Sequence, residues 1–355
     1  ISMSQVKVCE KTGNEVLVRS EEDEKNNFSF LDVIKKTDNI PEDYLKNENF
    51  INNNIILESH DNSFWFGYML VSTYNKIIAN KTLKNHFDNL FLNIEFDKTH
   101  KQKKLVLKPI TNSNESYNGL FDTFALAVKE SMLFECTKGW RNEKYTVHTN
   151  DKKTYFMIER AMVTIFGILT FGIHVNGFFY DSDSKLRMWI PRRSKTKATW
   201  PLKLDNVVAG GLGNGDGVDK TLWKELKEEA NLDKSTIENN IKMAGCLSYF
   251  YFSDDLDTCK FDDEKNVITS ELEFIYDLEF PTTVIPKIND SEVHEFKHYS
   301  LQELVDLLKS NDFKPNCSLV VVDFLVRHGY INVTNEPNYT EILLKTHRRL
   351  PFNMM

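Results

Sequence analysis

The chain has 355 residues, 41% of them hydrophobic and 27% charged, a balance that supports a sizeable core and leaves room for two domains. Its formal net charge of −8 argues against a general nucleic-acid binder, and no apolar run approaches the roughly 20 residues that a membrane span needs. Cys9, Cys136, Cys246, Cys259 and Cys317 are odd in number and lack CxxC or zinc spacing, and no basic, apolar, small-residue succession marks a secretory signal, so reduced thiols and a cytoplasmic location are expected.

Taken in chain order, Phe28–Lys36 has helical periodicity that Asn39-Ile40-Pro41 stops. Aromatic and β-branched residues predict strands over Phe64–Ile78, and alternation predicts two more at Phe91–Phe96 and Lys104–Ile110. The apolar spacing of Leu120–Cys136 suits an amphipathic helix. A second unit opens near Met157 with a long apolar strand, turns at Asp181–Lys185, and returns through Leu186–Arg193 as a hairpin. Three further strand-like segments, IKMAGCLSYFYF, ITSELEFIYDLEF and VHEFKHYS, precede two helices at Leu301–Ser310 and Cys317–Gly329. No repeat and no low-complexity linker separates the two parts, so they are expected to pack together.

Between the hairpin and the later strands lies AGGLGNGDGVDKTLWKELKEEANL, Ala209–Leu232. Gly210, Gly211, Gly213 and Gly215 allow a ligand to approach the backbone closely. The following residues read as a helix capped by Asp219, with Leu222, Leu226 and Ala230 on one face and Asn231 in the left-handed ending position. On such a helix Glu225 neighbours both Glu228 and Glu229, and like charges at that spacing repel. An acidic triplet alone is commonly a solvated face, here mixed with Lys224 and Lys227. Convergent carboxylates behind a glycine loop instead suit a hard cation shared with phosphate oxygens.

The spacing of Gly210, Asp216, Lys224, Glu225, Leu226, Glu228, Glu229, Asn231 and Leu232 resembles the Nudix box, with Asp216, Lys224 and Asn231 departing from its Glu, Arg and Gly. Gly139–Val147, Ile158–Ala161, Gly172–Phe179, Met188–Pro201, Lys203–Leu212 and Asn335–Phe352 resemble a eukaryotic Nudix subfamily related to thiamine pyrophosphokinase, whose members carry an extra N-terminal domain. The resemblance implies an α+β N-terminal domain over residues 1–155, followed by an α/β/α Nudix fold with mixed sheet over 156–355. It implies Mg²⁺ or Mn²⁺ held by Gly210, Glu225, Glu228 and Glu229, with Glu228, Glu229 and Glu292 as catalytic groups. Arg192, Arg193, Lys197 and Gly211 would bind a small-molecule diphosphate. Strand alternation lets only one of Arg192 and Arg193 face a shared pocket unless the strand ends there.

By the same resemblance the reaction is hydrolysis of thiamine diphosphate and its oxidised analogues to the monophosphate, with the N-terminal domain covering the mouth of the site. Two alternatives share these residues: a diphosphatase of nucleotide-type substrates, and a binding module without turnover, which the Lys at position 224 would suit. Oligomeric state is open from the sequence.

Overall fold

The computed structural model describes residues 5–252 and 267–355, so Cys259 lies outside the described residues. A first hairpin pairs β1 (Gln5–Val8) with β2 (Glu15–Val18). β3 (Asn54–Glu58), β4 (Trp65–Leu70), β5 (Glu95–Asp97) and β6 (Gln102–Val106) form a sheet in the order β4-β3-β6-β5, with β3 and β6 parallel. Helices Lys81–Leu90 and Tyr117–Ser131 contribute Leu83, Phe87, Phe121 and Phe124 to the core of this unit. The strand expectation for Phe64–Ile78 is corrected. The extended chain stops at Leu70, and Val71–Ala79 is a helix with Thr73 and Ile77 buried four apart. Its β-branched residues serve a helical face there, because packing rather than propensity decides. A second hairpin, β7 (Lys144–His148) with β8 (Thr154–Glu159), closes this unit.

The larger sheet holds β9 (Leu169–Tyr180), β10 (Leu186–Arg193), β11 (Val208–Gly211), β12 (Ile241–Tyr251), β13 (Thr269–Glu279) and β14 (Val293–Ser300). Their order is β12-β13-β9-β10-β14. β9 runs parallel to β13, and ten of its twelve residues are buried, which explains its nearly unbroken apolar run. Its other edge is divided: Gly177–Tyr180 pair with β10, whereas Gly172–Val175 pair with β11. This division opens the sheet where the glycine loop begins. Helix Val218–Ala230 buries Leu222, Leu226 and Ala230 in one core, while helices Leu301–Lys309 and Pro315–Arg327 pack into another with β10 and β12. The architecture is an α+β unit followed by an α/β/α unit with a mixed sheet.

A boundary at residue 155 does not follow this packing. It cuts β8, and Leu17, Phe30 and Leu31 lie in the core of the second unit beside Leu304 and Phe324. Tyr44, Phe50, Ile56 and Tyr68 share a further core with Leu222 and Phe250. The change from one unit to the other falls at Ile168–Leu169, the first burying in the accessory core and the second in the core under the acidic helix. Among the described residues no helix is long and apolar enough to cross a membrane, and Cys9, Cys246 and Cys317 are free thiols.

Asp277 on β13 ties the sheet to the helix behind it. Its carboxylate accepts hydrogen bonds from Arg327 Nη1 at 2.6 Å and Nη2 at 3.0 Å, and pairs with His328 Nε2 at 2.8 Å. Burial alone would raise this carboxyl, but His328 and Arg327 outweigh burial and bring it from 3.8 to about 2. The native state therefore holds its proton less tightly than the unfolded chain. The associated stabilisation is present above about pH 4 and is lost as pH falls through about 2. We expect Asp277→Asn to cost roughly 1–2 kcal/mol at pH 7 and progressively less near pH 3, measured by denaturant unfolding at both pH values. An equal cost at both would show that shape rather than charge holds the junction.

Candidate active site

The glycine loop leaves β11 and enters helix Val218–Ala230 through Gly217, which occupies the N-cap. Asp219 sits one position inside the first turn and accepts from Trp223 Nε1 at 3.0 Å, so the expected Asp219 cap is replaced by a side-chain tether. The helix ends as its sequence predicts: Asn231 is left-handed, with φ 53°, and its Oδ1 accepts from Lys227 Nζ at 2.8 Å. Asp216 accepts from Lys220 Nζ at 2.6 Å and so braces the loop.

Gly210, Gly211, Glu225, Glu228, Glu229, Glu292, Arg193 and Lys197 line one cavity of about 290 Å³. Glu229 Oε2 accepts the Ala209 N–H at 3.1 Å, which fixes the side chain beneath β11. Glu225 lies against Gly210 so closely that a Cβ there would stand 2.5 Å from its carboxyl carbon. That position needs glycine for space. Lys224 Nζ is 3.6 Å from Glu225 and 3.9 Å from Glu228, so the ammonium sits between two glutamates. A lysine can thus supply countercharge here without the planar fork of arginine.

Burial, then Glu228 and Glu292, push the Glu225 carboxyl up to about 7 against the pull of Lys224. Glu229 is likewise raised well above its ordinary value, by burial and by Asp205 and Glu225. Carboxylates that Lys224 only partly compensates suit a divalent cation, and the oxygen-only donors match Mg²⁺ or Mn²⁺. Among the described residues no three acidic, His or Cys side chains are gathered at ion-holding distances, so the fit rests on donor chemistry and on the space at Gly210.

The opposite wall carries positive charge. Arg193 pairs with Asp205 at 2.7 Å and also donates to the Trp200 and Thr199 carbonyls. Lys197 is hydrogen-bonded to Glu292. Burial would raise the Glu292 carboxyl, but Lys197, Arg141 and Arg193 outweigh it and hold it below its ordinary value. Glu292 is therefore an ionised acceptor of modest basicity. Arg192 is a correction to the expected binding set: it does not line the cavity, and pairs instead with Asp312 at 3.3 Å and Glu295 at 3.5 Å. A register shift of β10 against β14 between Arg192 and Arg193 accompanies their separation.

The first unit also reaches the site. Arg141, Glu143 and Tyr145 from β7 and its approach, with Arg160 just after β8, complete the wall. Arg160 Nη1 donates to Glu143 at 2.8 Å, and its guanidinium lies 5.4 Å from the Tyr145 ring centre. A Cβ at Gly213 would meet Glu143 Oε1 at 2.2 Å, and one at Gly211 would meet the Tyr145 hydroxyl at 2.5 Å. The loop backbone is pinned as well, Asn214 N–H donating to the Lys144 carbonyl at 2.6 Å. Thr170, Glu271, Glu273, Lys314 and Asn316 line the deeper part. These residues have no box to announce them, although Arg141–Tyr145 and Arg160 lie within two stretches that resemble the subfamily.

Residues 170–318 match the NUDIX domain model, and residues 85–170 match a domain of unknown function, DUF4743. The chain belongs to the Nudix family and is a Nudix hydrolase. It is 43% identical to the uncharacterized protein YJR142W of Saccharomyces cerevisiae, over 96% of each chain. It is 39% identical to Nudix hydrolase 20, chloroplastic, of Arabidopsis thaliana over 54% of this chain and 49% of that one. For Nudix hydrolase 24, chloroplastic, of the same plant the identity is 37%, over 58% and 53%. The chain thus spans about half the length of these two plant relatives.

Proposed function

We propose that this enzyme hydrolyses a diphosphate ester of an organic cation, with thiamine diphosphate and its oxidised analogues as substrates, releasing the monophosphate and phosphate. One observation carries the reading: the three helix glutamates and the Arg193–Lys197 wall face each other across a single cavity. The carboxylates are placed for a cation and the bases for phosphate oxygens, and a diphosphate with its metal needs both. The substrate assignment is supported by the resemblance of residues 139–147, 158–161, 188–201 and 203–212 to the thiamine-related subfamily.

Glu225, Glu229 and Glu228 would hold Mg²⁺ or Mn²⁺, with the Gly210 carbonyl as a further donor. Bound there, the ion would polarise phosphoryl oxygens and acidify water. The chain's own groups do the rest. The Ala209 N–H orients Glu229, and Lys224 restrains Glu225 and Glu228. Arg193, itself held by Asp205 and two carbonyls, presents a fixed guanidinium to the diphosphate. Glu292, ionised and tethered to Lys197, accepts the proton of the attacking water once substrate draws Lys197 away.

The test is phosphate release from thiamine diphosphate and oxothiamine diphosphate beside a panel of nucleotide diphosphates, with Mg²⁺ or Mn²⁺. We expect the thiamine compounds to be hydrolysed preferentially. Release from nucleotides alone would keep the catalytic helix and discard the substrate, and no release from any compound would favour a binding module.

A further inference from the structure

The positive side chains of the cavity are not equally committed. Arg160 is paired with Glu143, Arg193 with Asp205, Lys197 with Glu292, and Lys224 with Glu225 and Glu228. Lys314 makes no close pair, but it is half-buried in the deeper part. Burial would lower its ammonium there, and Cys317, Asp205 and Glu271 outweigh burial and raise it. Arg141 is different. It lines the same cavity and is exposed, and none of its guanidinium N–H groups has a partner among the described residues.

The backbone that carries Arg141 is fixed all the same. Its N–H donates to Glu159 Oε1 at 3.1 Å, and Glu159 is 3% exposed at the end of β8. Asn142 follows in the left-handed region, with φ 57°, and its Oδ1 accepts from Trp140 Nε1 at 2.8 Å. The Arg160 N–H then donates to the Glu143 carbonyl at 2.8 Å. A turn held at successive points thus presents one long side chain with all of its donors free.

The charge of Arg141 is uncancelled as well. Against burial, Lys197 and then Arg141 lower the Glu292 carboxyl, which sets Arg141 beside that pair. Taken pair by pair, Lys197 cancels Glu292 and Arg193 cancels Asp205, so Arg141 is the surplus positive charge on this wall. A diphosphate that shares one divalent cation with the acidic helix is still an anion. A guanidinium fork matches two phosphoryl oxygens at once, which a lysine ammonium does not.

We infer that Arg141 is a phosphate-binding residue: the accessory unit supplies the guanidinium that clamps the diphosphate oxygens facing away from the acidic helix, and two units of the chain complete the substrate site. The inference rests on the cavity being the diphosphate site, as proposed above, and holds for any organic group that the diphosphate carries.

The probe is methylenediphosphonate, whose carbon bridge resists hydrolysis, and its binding to the full chain is measured by calorimetry at fixed Mg²⁺. We expect Arg141→Ala to bind it about 10-fold or more weakly than the wild type, and Arg141→Lys about 3-fold or more weakly, because the lysine keeps the charge and loses the fork. Arg349→Ala, which removes an exposed arginine from a separate groove, should change the affinity by about 2-fold or less. The thermal unfolding transition should be retained, since the Arg141 side chain is exposed and its backbone bond to Glu159 survives the substitution. Wild-type affinity in Arg141→Ala or in Arg141→Lys would overturn the inference, as would an equal loss in Arg349→Ala or no binding by the wild type. Should Arg141→Ala not fold, Arg141→Lys decides. Phosphate release is not read in this measurement. Failure to hydrolyse thiamine diphosphate would remove the proposed reaction and leave the binding result standing, whereas equal binding by wild type and Arg141→Ala would remove Arg141 and leave the reaction.

Discussion

Glu229→Gln should lower turnover by roughly 10²–10⁴-fold while the thermal unfolding transition stays cooperative. The carboxylate sits beneath β11, where the Ala209 N–H directs it, and burial together with Asp205 and Glu225 makes its charge costly in the protein alone. Replacing it with an isosteric amide relieves that cost and keeps an oxygen to accept the backbone hydrogen bond. It removes the charge that a divalent ion would use. Metal-dependent phosphate release by the wild type, lost in the variant at saturating Mg²⁺, would place Glu229 at the ion. A folded variant with wild-type turnover would remove Glu229 from the chemistry.

The second large effect concerns folding. A chain beginning at residue 156 should show no cooperative thermal transition and no hydrolysis. It lacks Leu17, Phe30 and Leu31 from the core around Phe324, and Tyr44, Phe50 and Tyr68 from the core around Leu222 and Phe250. Each large side chain removed from a core costs about 2–5 kcal/mol, against a typical total stability of about 5–15 kcal/mol. The cut also divides β8. Circular dichroism melting and phosphate release on the truncated chain would check this. A cooperative melt with activity would mean that the second unit folds alone. If the expectation holds, the same deletion cannot report on substrate range, and variants at Arg141 or Glu143 are the means to ask that question.

The acidic helix and its glycine loop were legible because their spacing is local. Leu222, Leu226, Ala230 and Asn231 follow from helical periodicity, and Glu225, Glu228 and Glu229 from one turn of it. The hairpin of β9 and β10 and the three later strands were legible for the same reason. Val71–Ala79 was misread, because β-branched residues on a buried helical face look like a strand until their spacing of four is weighed against alternation. Asp219 lies two residues beyond the cap it was expected to form, since Gly217 can begin a helix without a side-chain cap. Alternation allows only one of Arg192 and Arg193 to face the pocket, and the pairing of β10 with β14 shows that it is Arg193. Arg141, Glu143, Tyr145, Glu271 and Glu273 reach the cavity through contacts that no spacing encodes.

The shared cores have a bearing on how tightly this enzyme can hold its substrate. Two domains that close on a ligand spend part of the binding free energy on the open-to-closed equilibrium, and the apparent affinity falls by the fraction of molecules already closed. Here the wall formed by Glu143, Tyr145 and Arg160 is locked to the glycine loop by the Asn214–Lys144 backbone bond and by apolar packing on both faces of the large sheet. The pocket is assembled when the chain folds. Free energy from substrate contacts is then available for discrimination between ligands and for the transition state, rather than for bringing two lobes together.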